Sequence, residues 1–330
     1  MTDDASPGPI RPPSEAYSLL IRVTVNCPWN RCEFCNVFKG SKFRRRSVEE
    51  IERDISAAGR VVGEVEAWAD RMGCSAAAVA RRNGLPWLGS GEVRSVFLQD
   101  ADSLIIPTGE LVEILECLYR TFPALERVCT YGRGKTIFRK SLDDLARLRR
   151  AGLSRLHLGL ETGDDELLVQ IRKGATAGEM AEAGRKAKEA GFEVSEYVMP
   201  GLGGRRDWER HARNSARVLN RIDPDFIRLR TFHLVGGAPI MERVRRGELQ
   251  MQTIEGLLLE VRRFVEELDV TSELVTSDFA YNYYLGEVDG RLPQDRARLL
   301  EAIDRALDDW RARGEPERSP FRGPLNRCSA

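Results

Sequence analysis

The sequence lacks a long apolar run, since no stretch approaches the roughly 18 residues that a membrane helix needs. It also lacks net charge, because Lys and Arg total 51 and Asp and Glu total 51. That balance removes the main electrostatic argument for binding bulk nucleic acid or an anionic membrane. Residues 1–9 are acidic and Pro-rich, with no basic segment leading into an apolar one, so they do not resemble a secretory signal. We expect a cytoplasmic protein without a membrane partner.

Lysine is scarce, at seven of the 51 basic residues, so arginine is the usual basic residue of this chain. A single Arg is therefore weak evidence for a functional site. Cysteine is sparse but clustered, with three of the seven crowded into one loop. An odd number of cysteines, in a large chain that we expect to be cytoplasmic and therefore reduced, argues against a disulfide framework. The cluster therefore indicates metal or redox chemistry.

Six segments rich in β-branched and aliphatic side chains are each followed by a helical pattern, which predicts parallel strands joined by right-handed crossovers. The expected fold class is α/β, as a partial (β/α)6 TIM-like barrel or an open doubly wound sheet. Ligands then collect at the carboxyl ends of the strands. The predicted strands cover residues 17–25, 95–98, 127–131, 155–160, 192–198 and 226–232.

Two regions do not follow this repeat. A helical insertion is expected at about 59–92, between the first two strands, and a helical extension is expected after the barrel. Ser47 and Glu50 form a predicted capping box at the start of the first helix. The expected domains are a tail (1–16), the barrel (17–240) and a carboxyl-terminal helical extension and tail (241–330).

The loop after the first strand holds Cys27, Cys32 and Cys35 in a C-x4-C-x2-C pattern. Three thiolates can hold one face of a metal centre, and a closed zinc site or a fully ligated cluster would need a fourth ligand. Cys117 and Cys129 lie inside predicted elements and are expected to be buried apolar side chains. A four-iron cluster with one open iron and a zinc knuckle lacking a ligand both remain open from the cysteines alone.

Later motifs resemble the radical S-adenosylmethionine (SAM) superfamily, particularly the subgroup of oxygen-independent coproporphyrinogen oxidase and the elongator-type enzymes. The superfamily usually has C-x3-C-x2-C, so this loop carries one residue more. The segment 159–163 (Gly-Leu-Glu-Thr-Gly), followed by Leu168 and Lys173-Gly174, resembles the GLESG element, with Thr162 in place of Ser. The segments 197–204 and 236–239 resemble the glycine element of strand five and the PGTP turn after strand six.

The resemblance implies a [4Fe–4S] cluster on the three clustered cysteines and SAM at its open iron. Phe34, just before the last cysteine, takes the aromatic position near adenine. Glu161 would lie where SAM's polar groups are held, with Lys173 within reach of a carboxylate, and Gly201 would let backbone approach adenine. Tyr131 could line the SAM ribose or carboxylate.

The second strand departs from the family, which often has a Gly-Gly-Glu-Pro turn that holds the SAM amino group. Gln99, Asp100 or Asp102 would replace it through side-chain acceptors, unless this is only a solvated loop. His211 is expected on a polar helix face. The predicted substrate-side residues are Arg230, His233, Asp278 and Asn282, although the aromatic residues around 276–284 could instead pack helices onto the barrel.

The activity that the resemblance implies is reductive cleavage of SAM to a 5′-deoxyadenosyl radical, which abstracts hydrogen from a substrate. An electron donor such as flavodoxin or ferredoxin would be a partner. A small-molecule substrate is favoured over nucleic acid because the chain is neutral. The alternatives are radical SAM modification of RNA or a peptide, and a non-enzymatic iron–sulfur or zinc protein.

Overall fold

The computed structural model describes residues 10–286 and 288–313 of the 330-residue chain. Residues 1–9 and 314–330, which include most of the expected tails, lie outside the described residues. The described elements, in chain order, are β1 (Leu19–Arg22), β2 (Thr24–Val25), β3 (Arg44–Arg45), α1 (Val48–Met72), α2 (Ala76–Arg82), β4 (Ser95–Gln99), α3 (Thr108–Thr121), β5 (Arg127–Gly132), α4 (Gly134–Arg139), α5 (Leu142–Arg150), β6 (Leu153–Glu161), α6 (Asp165–Gln170), α7 (Ala177–Glu189), β7 (Glu193–Val198), α8 (Gly204–Ile222), β8 (Phe226–Leu229), α9 (Ile240–Arg245), α10 (Ile254–Glu267), β9 (Glu273–Val275), β10 (Gly290–Arg291) and α11 (Arg296–Ala312).

The described chain divides into two compact units. The first unit comprises residues 10–28, 40–157 and 186–193, and the second unit comprises 29–39, 158–185 and the remaining residues from 194. These units do not follow the expected boundary at residue 240, which stays a prediction.

In the first unit, β4 pairs in parallel with both β1 and β5, from Leu19 opposite Val96 and from Ser95 opposite Arg127. In the second unit, β8 pairs in parallel with β7 and β9, and β10 adds an antiparallel edge to β9. Parallel strands that alternate with helices confirm the predicted α/β class of a partial (β/α)6 barrel.

The first helix begins as the sequence predicts. The Ser47 hydroxyl accepts a hydrogen bond from the Glu50 backbone N–H at 3.2 Å, and the Glu50 carboxylate accepts one from the Ser47 N–H at 2.8 Å. The helix then continues unbroken to Met72, where Gly73 ends it in the left-handed conformation. No separate helix starts near residue 59 in this described stretch, so the expected insertion begins inside α1 and continues through α2.

The carboxyl-terminal extension is helical as expected, with two long helices, α10 and α11. It also contains β9 and β10, which the sequence analysis missed. Strands of three and two residues are too short to show an alternating pattern, and β9 forms because β8 offers it an unpaired edge.

The amino-terminal segment before β1 is not loose where the structure describes it. Pro13–Glu15 is a short 3-10 helix, and the Glu15 side chain is completely buried in the first unit. The expected tail therefore ends before residue 13. A single carboxylate in a polar segment gives no pattern that signals burial, which is why the sequence analysis missed it.

An apolar cluster in the second unit lies beneath part of the cysteine loop. Phe34 packs against this cluster, which consists of Ile171, Leu202, Phe232, Leu234, Ala238, Ile240 and Leu249. Burying each large apolar side chain contributes about 1.5–3 kcal/mol. This packing holds Phe34, and with it the adjacent part of the cysteine loop, in place.

Candidate functional site

The three clustered cysteines are half-buried. Cys27 ends the first strand region and belongs to the first unit, whereas Cys32 and Cys35 lie in the segment 29–39 of the second unit. Asn26 and Asn30 have positive φ values of 70° and 45°, in the left-handed region that Asn tolerates better than most residues. These two turns are the local reason that the chain winds tightly here.

The segment 29–39 is tied by hydrogen bonds to two later parts of the second unit. The Glu33 N–H donates to the Ile171 carbonyl at 2.9 Å, and the Glu33 carbonyl accepts from the Ile240 N–H at 3.0 Å. The Glu33 carboxylate pairs with Arg172 at 3.3 Å. These contacts hold the stretch between Cys32 and Cys35 against the end of α6 and the start of α9.

Trp29 adds a second anchor. Its indole N–H donates to the Arg172 carbonyl at 2.7 Å, and its ring lies against Gly174. A Cβ at Gly174 would fall 2.4 Å from the Trp29 ring, and the φ of +76° also disfavours any other residue. Gly174 of the family-like element therefore makes room for the cysteine loop.

The strand-four element ends in an ion pair. The Lys173 ammonium group donates to Glu161 Oε1 at 2.8 Å, and it lies 5.9 Å from the centre of the Phe34 ring. Glu161 has a φ of +62°, an unfavourable conformation for a Glu at a strand end. The Glu161 side chain folds back over Gly159, where a Cβ would meet Glu161 Oε1 at 2.2 Å. The structure thus brings Phe34, Glu161 and Lys173 together.

A buried carboxyl group that the sequence analysis missed belongs to the same surroundings. Burial raises the pKa of Glu196 to about 8; the charge of Lys173 lowers it and that of Glu161 raises it. Glu196 is therefore largely protonated at neutral pH, so the Glu161–Lys173 pair has a neutral neighbour. Its only sequence signal is a charged residue in the interior of a predicted strand.

His211 is buried, which corrects the expected polar helix face. Its Nδ1 lies 2.7 Å from the Thr162 hydroxyl, and its Nε2 lies 3.1 Å from the Met199 carbonyl. Burial lowers the pKa of His211 to about 4, so the imidazole is neutral. The expectation failed because charged residues on both sides of His211 hide the small, buried stripe of α8 to which it belongs.

Asp100 lies at the end of β4 and is completely buried. Its Oδ2 accepts hydrogen bonds from the Asn26 N–H at 2.8 Å and from Arg22 Nε at 3.0 Å, whereas its Oδ1 is buried without a hydrogen-bond partner. Burial raises the pKa of Asp100, and this effect exceeds that of the hydrogen bonds from Asn26 and Arg22, which lower it. A buried carboxylate oxygen without a donor is costly and is suited to receive one from a ligand.

The other two strand-two candidates serve the fold. The Gln99 side chain is buried and donates to the Ile10 carbonyl at 3.2 Å. Asp102 accepts hydrogen bonds from the Arg133 N–H and the Thr136 hydroxyl at the start of α4. Of the three, Asp100 is the one that has an acceptor to offer.

Tyr131 and Gly201 both have structural partners. The Tyr131 ring packs edge-on against Phe97, with ring centres 5.1 Å apart. Gly201 has a φ of +87°, its N–H donates to Glu260 at 2.8 Å, and a Cβ would lie 2.9 Å from Leu257. Gly201 is therefore required for packing against α10, and contacts of either residue with SAM stay predictions.

The predicted substrate-side residues divide into two groups. Arg230 and Asp278 form an ion pair that also includes Arg228, and His233 stacks on Tyr281 with ring centres 3.8 Å apart. Asn282, in contrast, is buried and uses its amide within the protein: Oδ1 accepts from Thr231, and Nδ2 donates to the Leu229 and Thr276 carbonyls. The structure therefore gives Asn282 a positioning role for this segment.

Residues 88–214 match the family model described as the Radical SAM superfamily. The matched stretch includes Asp100, Glu161, Lys173 and Gly201, and thus the GLESG-like element at the end of β6. This part of the chain is therefore similar to the radical SAM superfamily.

The similarity to individual proteins is partial. A tRNA uridine(34) acetyltransferase from Methanocaldococcus jannaschii is 26% identical over 107 residues, which are 32% of this chain and 20% of that protein. Coproporphyrinogen III oxidase from Escherichia coli is 14% identical, with a TM-score of 0.48 over 76% of this chain and 50% of that one. An amino-terminally truncated Elp3 from Methanocaldococcus infernus is 13% identical, with a TM-score of 0.46 over 68% and 55%. The chain thus spans about a fifth to about half of these proteins.

The match to the radical SAM superfamily implies a [4Fe–4S] cluster and SAM as cofactors. The residues present fit these groups. Three half-buried thiols supply the soft ligands of an iron–sulfur cluster, and the lone Asp100 Oδ1 suits an amino group. Within the described ranges, no helix is both long and apolar enough to cross a membrane.

Proposed function

We propose that Cys27, Cys32 and Cys35 hold the [4Fe–4S] cluster and that the protein acts on a small-molecule substrate. The observation that carries this proposal is the approach of Phe34, from the cysteine loop, to the Glu161–Lys173 pair more than 100 residues later. Two motifs that are distant in sequence therefore serve one place in the second unit. A carrier of iron and sulfur alone would not need the second motif.

When bound, the cluster and SAM supply reductive cleavage of SAM to the radical that abstracts hydrogen from the substrate. The chain's residues would bind and orient SAM. In the second unit, the Lys173 ammonium group, fixed by Glu161, would pair with the SAM carboxylate, and Phe34 would offer a ring face to adenine. In the first unit, Asp100 Oδ1 is a separate candidate acceptor for an amino group. The electron comes from a reductant such as flavodoxin or ferredoxin.

Metal analysis tests the cysteine assignment. Anaerobic reconstitution should give about four iron and four sulfide per chain. Replacing Cys27, Cys32 or Cys35 by Ala should abolish the cluster, whereas Cys117→Ala, a matched control buried in α3, should retain it. One zinc per chain without sulfide would overturn the proposal.

Binding of SAM tests the second motif. Glu161→Ala and Lys173→Ala should each weaken SAM binding by about 1–3 kcal/mol, as expected for loss of a charged hydrogen-bond partner, with the iron content unchanged. Arg185→Ala, whose side chain forms an exposed pair with Glu182, is the control. Unchanged SAM affinity in both variants would remove these residues from the site.

RNA modification is the second candidate, because the 107-residue match is to a protein named as a tRNA acetyltransferase. The rate at which 5′-deoxyadenosine forms with dithionite and SAM, measured with each candidate substrate added, separates the two candidates. Stimulation by bulk tRNA, and not by small acidic metabolites, would favour RNA over a small molecule.

A further inference from the structure

Glu161 occupies a strained turn at the end of β6. Its φ is +62°, and the Thr162 N–H donates to the Leu160 carbonyl at 2.8 Å, which closes a γ-turn around Glu161. A γ-turn with a positive φ is rare, and a strained backbone persists only where surrounding contacts fix it. Lys173 holds the Glu161 carboxylate at 2.8 Å but does not fix the backbone. The contacts that fix this turn therefore decide where the Glu161–Lys173 pair points.

His211, on α8, joins this turn to the end of β7. Its Nε2 lies 3.1 Å from the Met199 carbonyl, which can only accept, so Nε2 carries the proton and Nδ1 is an acceptor. The Thr162 hydroxyl donates to Nδ1 at 2.7 Å and accepts from the Asp164 N–H at 3.0 Å. The Met199 N–H in turn donates to the Glu161 carbonyl at 2.9 Å. His211 thus holds both the residue after Glu161 and the residue that binds the Glu161 carbonyl.

Burial makes these contacts difficult to replace. Thr162 and His211 are 0% and 1% exposed, so water cannot take the place of a lost partner. Burial lowers the pKa of His211 to about 4 and raises that of Glu260, whose Oε1 lies 3.4 Å from His211 Nε2, to about 8. Both groups are therefore largely uncharged at neutral pH. The imidazole offers one donor and one acceptor, and each has a fixed partner.

Neighbouring residues on α8 hold the same segment. The Ser215 hydroxyl accepts from the Gly163 N–H at 2.9 Å, and Asn214 Nδ2 donates to Asp164 Oδ2 at 2.7 Å. A Cβ at Gly163 would fall 2.3 Å from the Asn214 carbonyl, so the helix lies directly against this segment. The residues that follow Glu161 are thus held by one face of α8, and His211 is the member of that face that also reaches β7.

We propose that His211 is a positioning residue for SAM binding: by holding Thr162 and Met199 it fixes the backbone of Glu161, and it thereby aims Lys173 at the SAM carboxylate. The imidazole acts as an uncharged bridge between the ends of β6 and β7. This inference rests on the proposed function, in which the Lys173 ammonium group pairs with that carboxylate.

Two ligands separate positioning from a general loss of stability. SAM and decarboxylated SAM differ only in the carboxylate, and isothermal titration calorimetry on the reconstituted full chain measures both dissociation constants. His211→Phe keeps a buried aromatic ring but removes both hydrogen bonds, and it should weaken SAM binding about fivefold. Binding of decarboxylated SAM should change by less than about twofold, because Lys173 has no carboxylate to meet. Equal losses for the two ligands would overturn the proposal.

Thr162 supplies a second test that does not require His211→Phe to fold. Thr162→Val removes the hydroxyl with little change of shape and should also weaken SAM binding about fivefold, whereas Thr162→Ser keeps the hydroxyl and should recover that affinity. Val218→Ala, which leaves a cavity on the buried face of α8, is the control for lost stability and should keep the SAM affinity of the parent. Parent affinity in Thr162→Val, or an equal loss in Val218→Ala, would contradict the inference.

A double variant tests whether His211 acts through Lys173. In a Lys173→Ala chain, adding His211→Phe should change SAM affinity by less than about twofold, because the group that His211 positions is gone. The same loss with and without Lys173 would show that His211 acts by another route.

Failure of the proposed function gives a different result. If Glu161→Ala and Lys173→Ala bind SAM as tightly as the parent, the proposed SAM site is wrong. If these two variants bind SAM more weakly while His211→Phe and Thr162→Val do not, only the positioning role is wrong.

Discussion

The buried ion cluster of the first unit and that of the second unit contain similar groups in different proportions. In the first, Arg127 donates to both oxygens of Glu15 at 3.1 and 3.3 Å, and Arg155 lies 4.0 Å from Glu15 and 2.9 Å from Glu193. Two guanidinium groups thus meet two carboxylates. In the second, Arg228 and Arg230 share the carboxylate of Asp278.

The difference follows the ends of the strands. Arg127 begins β5 and Arg155 lies near the start of β6, whereas Arg230 and Asp278 follow the ends of β8 and β9. In barrels of this class, the amino-terminal ends of strands serve stability and the carboxyl ends serve chemistry. The balanced cluster of Glu15 therefore fixes the fold, whereas the cluster of Asp278 lies at the strand ends that carry the chemistry in such barrels.

The balanced cluster also includes three side chains that could ligate a metal, Glu15, Cys129 and His157, whose ligand atoms lie within 4.8 Å of one another. Arg127 already occupies the Glu15 carboxylate, and burial raises the pKa of the Cys129 thiol far above its usual range. A protonated thiol is a poor ligand. These contacts favour an ion-pair network that attaches the amino-terminal segment to the first unit.

Removing Glu15 should have the largest effect on stability. Glu15→Ala leaves Arg127 without its buried partner, and we expect the free energy of unfolding to fall by about 3 kcal/mol, the low end for a broken buried pair because Arg127 is partly exposed. Urea denaturation of the full chain measures it. Glu193→Ala removes a partly exposed carboxylate from the same cluster and should cost about 0.5 kcal/mol. Equal losses would mean that the burial of Glu15 is not what stabilises the fold.

Removing Asp278 should have a smaller effect on stability. Asp278→Asn leaves Arg228 and Arg230 without the carboxylate that they share, and we expect the free energy of unfolding to fall by about 1–2 kcal/mol. Urea denaturation of the full chain measures this loss, with Glu15→Ala as the comparison that should lose more. A loss as large as that of Glu15→Ala would show that the two clusters do not differ as expected.

The sequence was sufficient for features that are determined locally. The capping box at Ser47 and the alternation of strand and helix follow from side-chain type and spacing, and the structure has them as expected. Cysteine spacing and the GLESG-like element likewise predicted the family, which the family model confirms. The cysteine and SAM residues themselves stay predictions.

Features that depend on partners distant in the chain could not be predicted from the sequence. Glu15 and His211 are polar residues whose burial depends on Arg127 and Thr162, far away in the chain. Asn282 was predicted near the substrate because of its aromatic neighbours, but its amide is used by Thr231 and by backbone carbonyls. Only tertiary packing decides which polar side chains remain for a ligand.

The pH dependence of stability should show the smallest difference between the clusters. Burial would raise the pKa of Glu15, but hydrogen bonds from His157 and Ser18 and the charge of Arg127 lower it to about 2, below its ordinary 4.5. A depressed carboxylate pKa means that the unfolded chain binds the proton first, so stability present above pH 4.5 is lost as pH falls toward 2. Between pH 7 and pH 4 that loss is about 0.8 kcal/mol.

Denaturation curves should therefore show that Glu15→Gln loses about that much less stability than the parent over this pH range. His211, whose pKa burial lowers to about 4, loses stability in acid equally in both proteins and cancels from the difference. A parallel pH profile for parent and Glu15→Gln would show that Arg127 and its neighbours do not depress the pKa of Glu15.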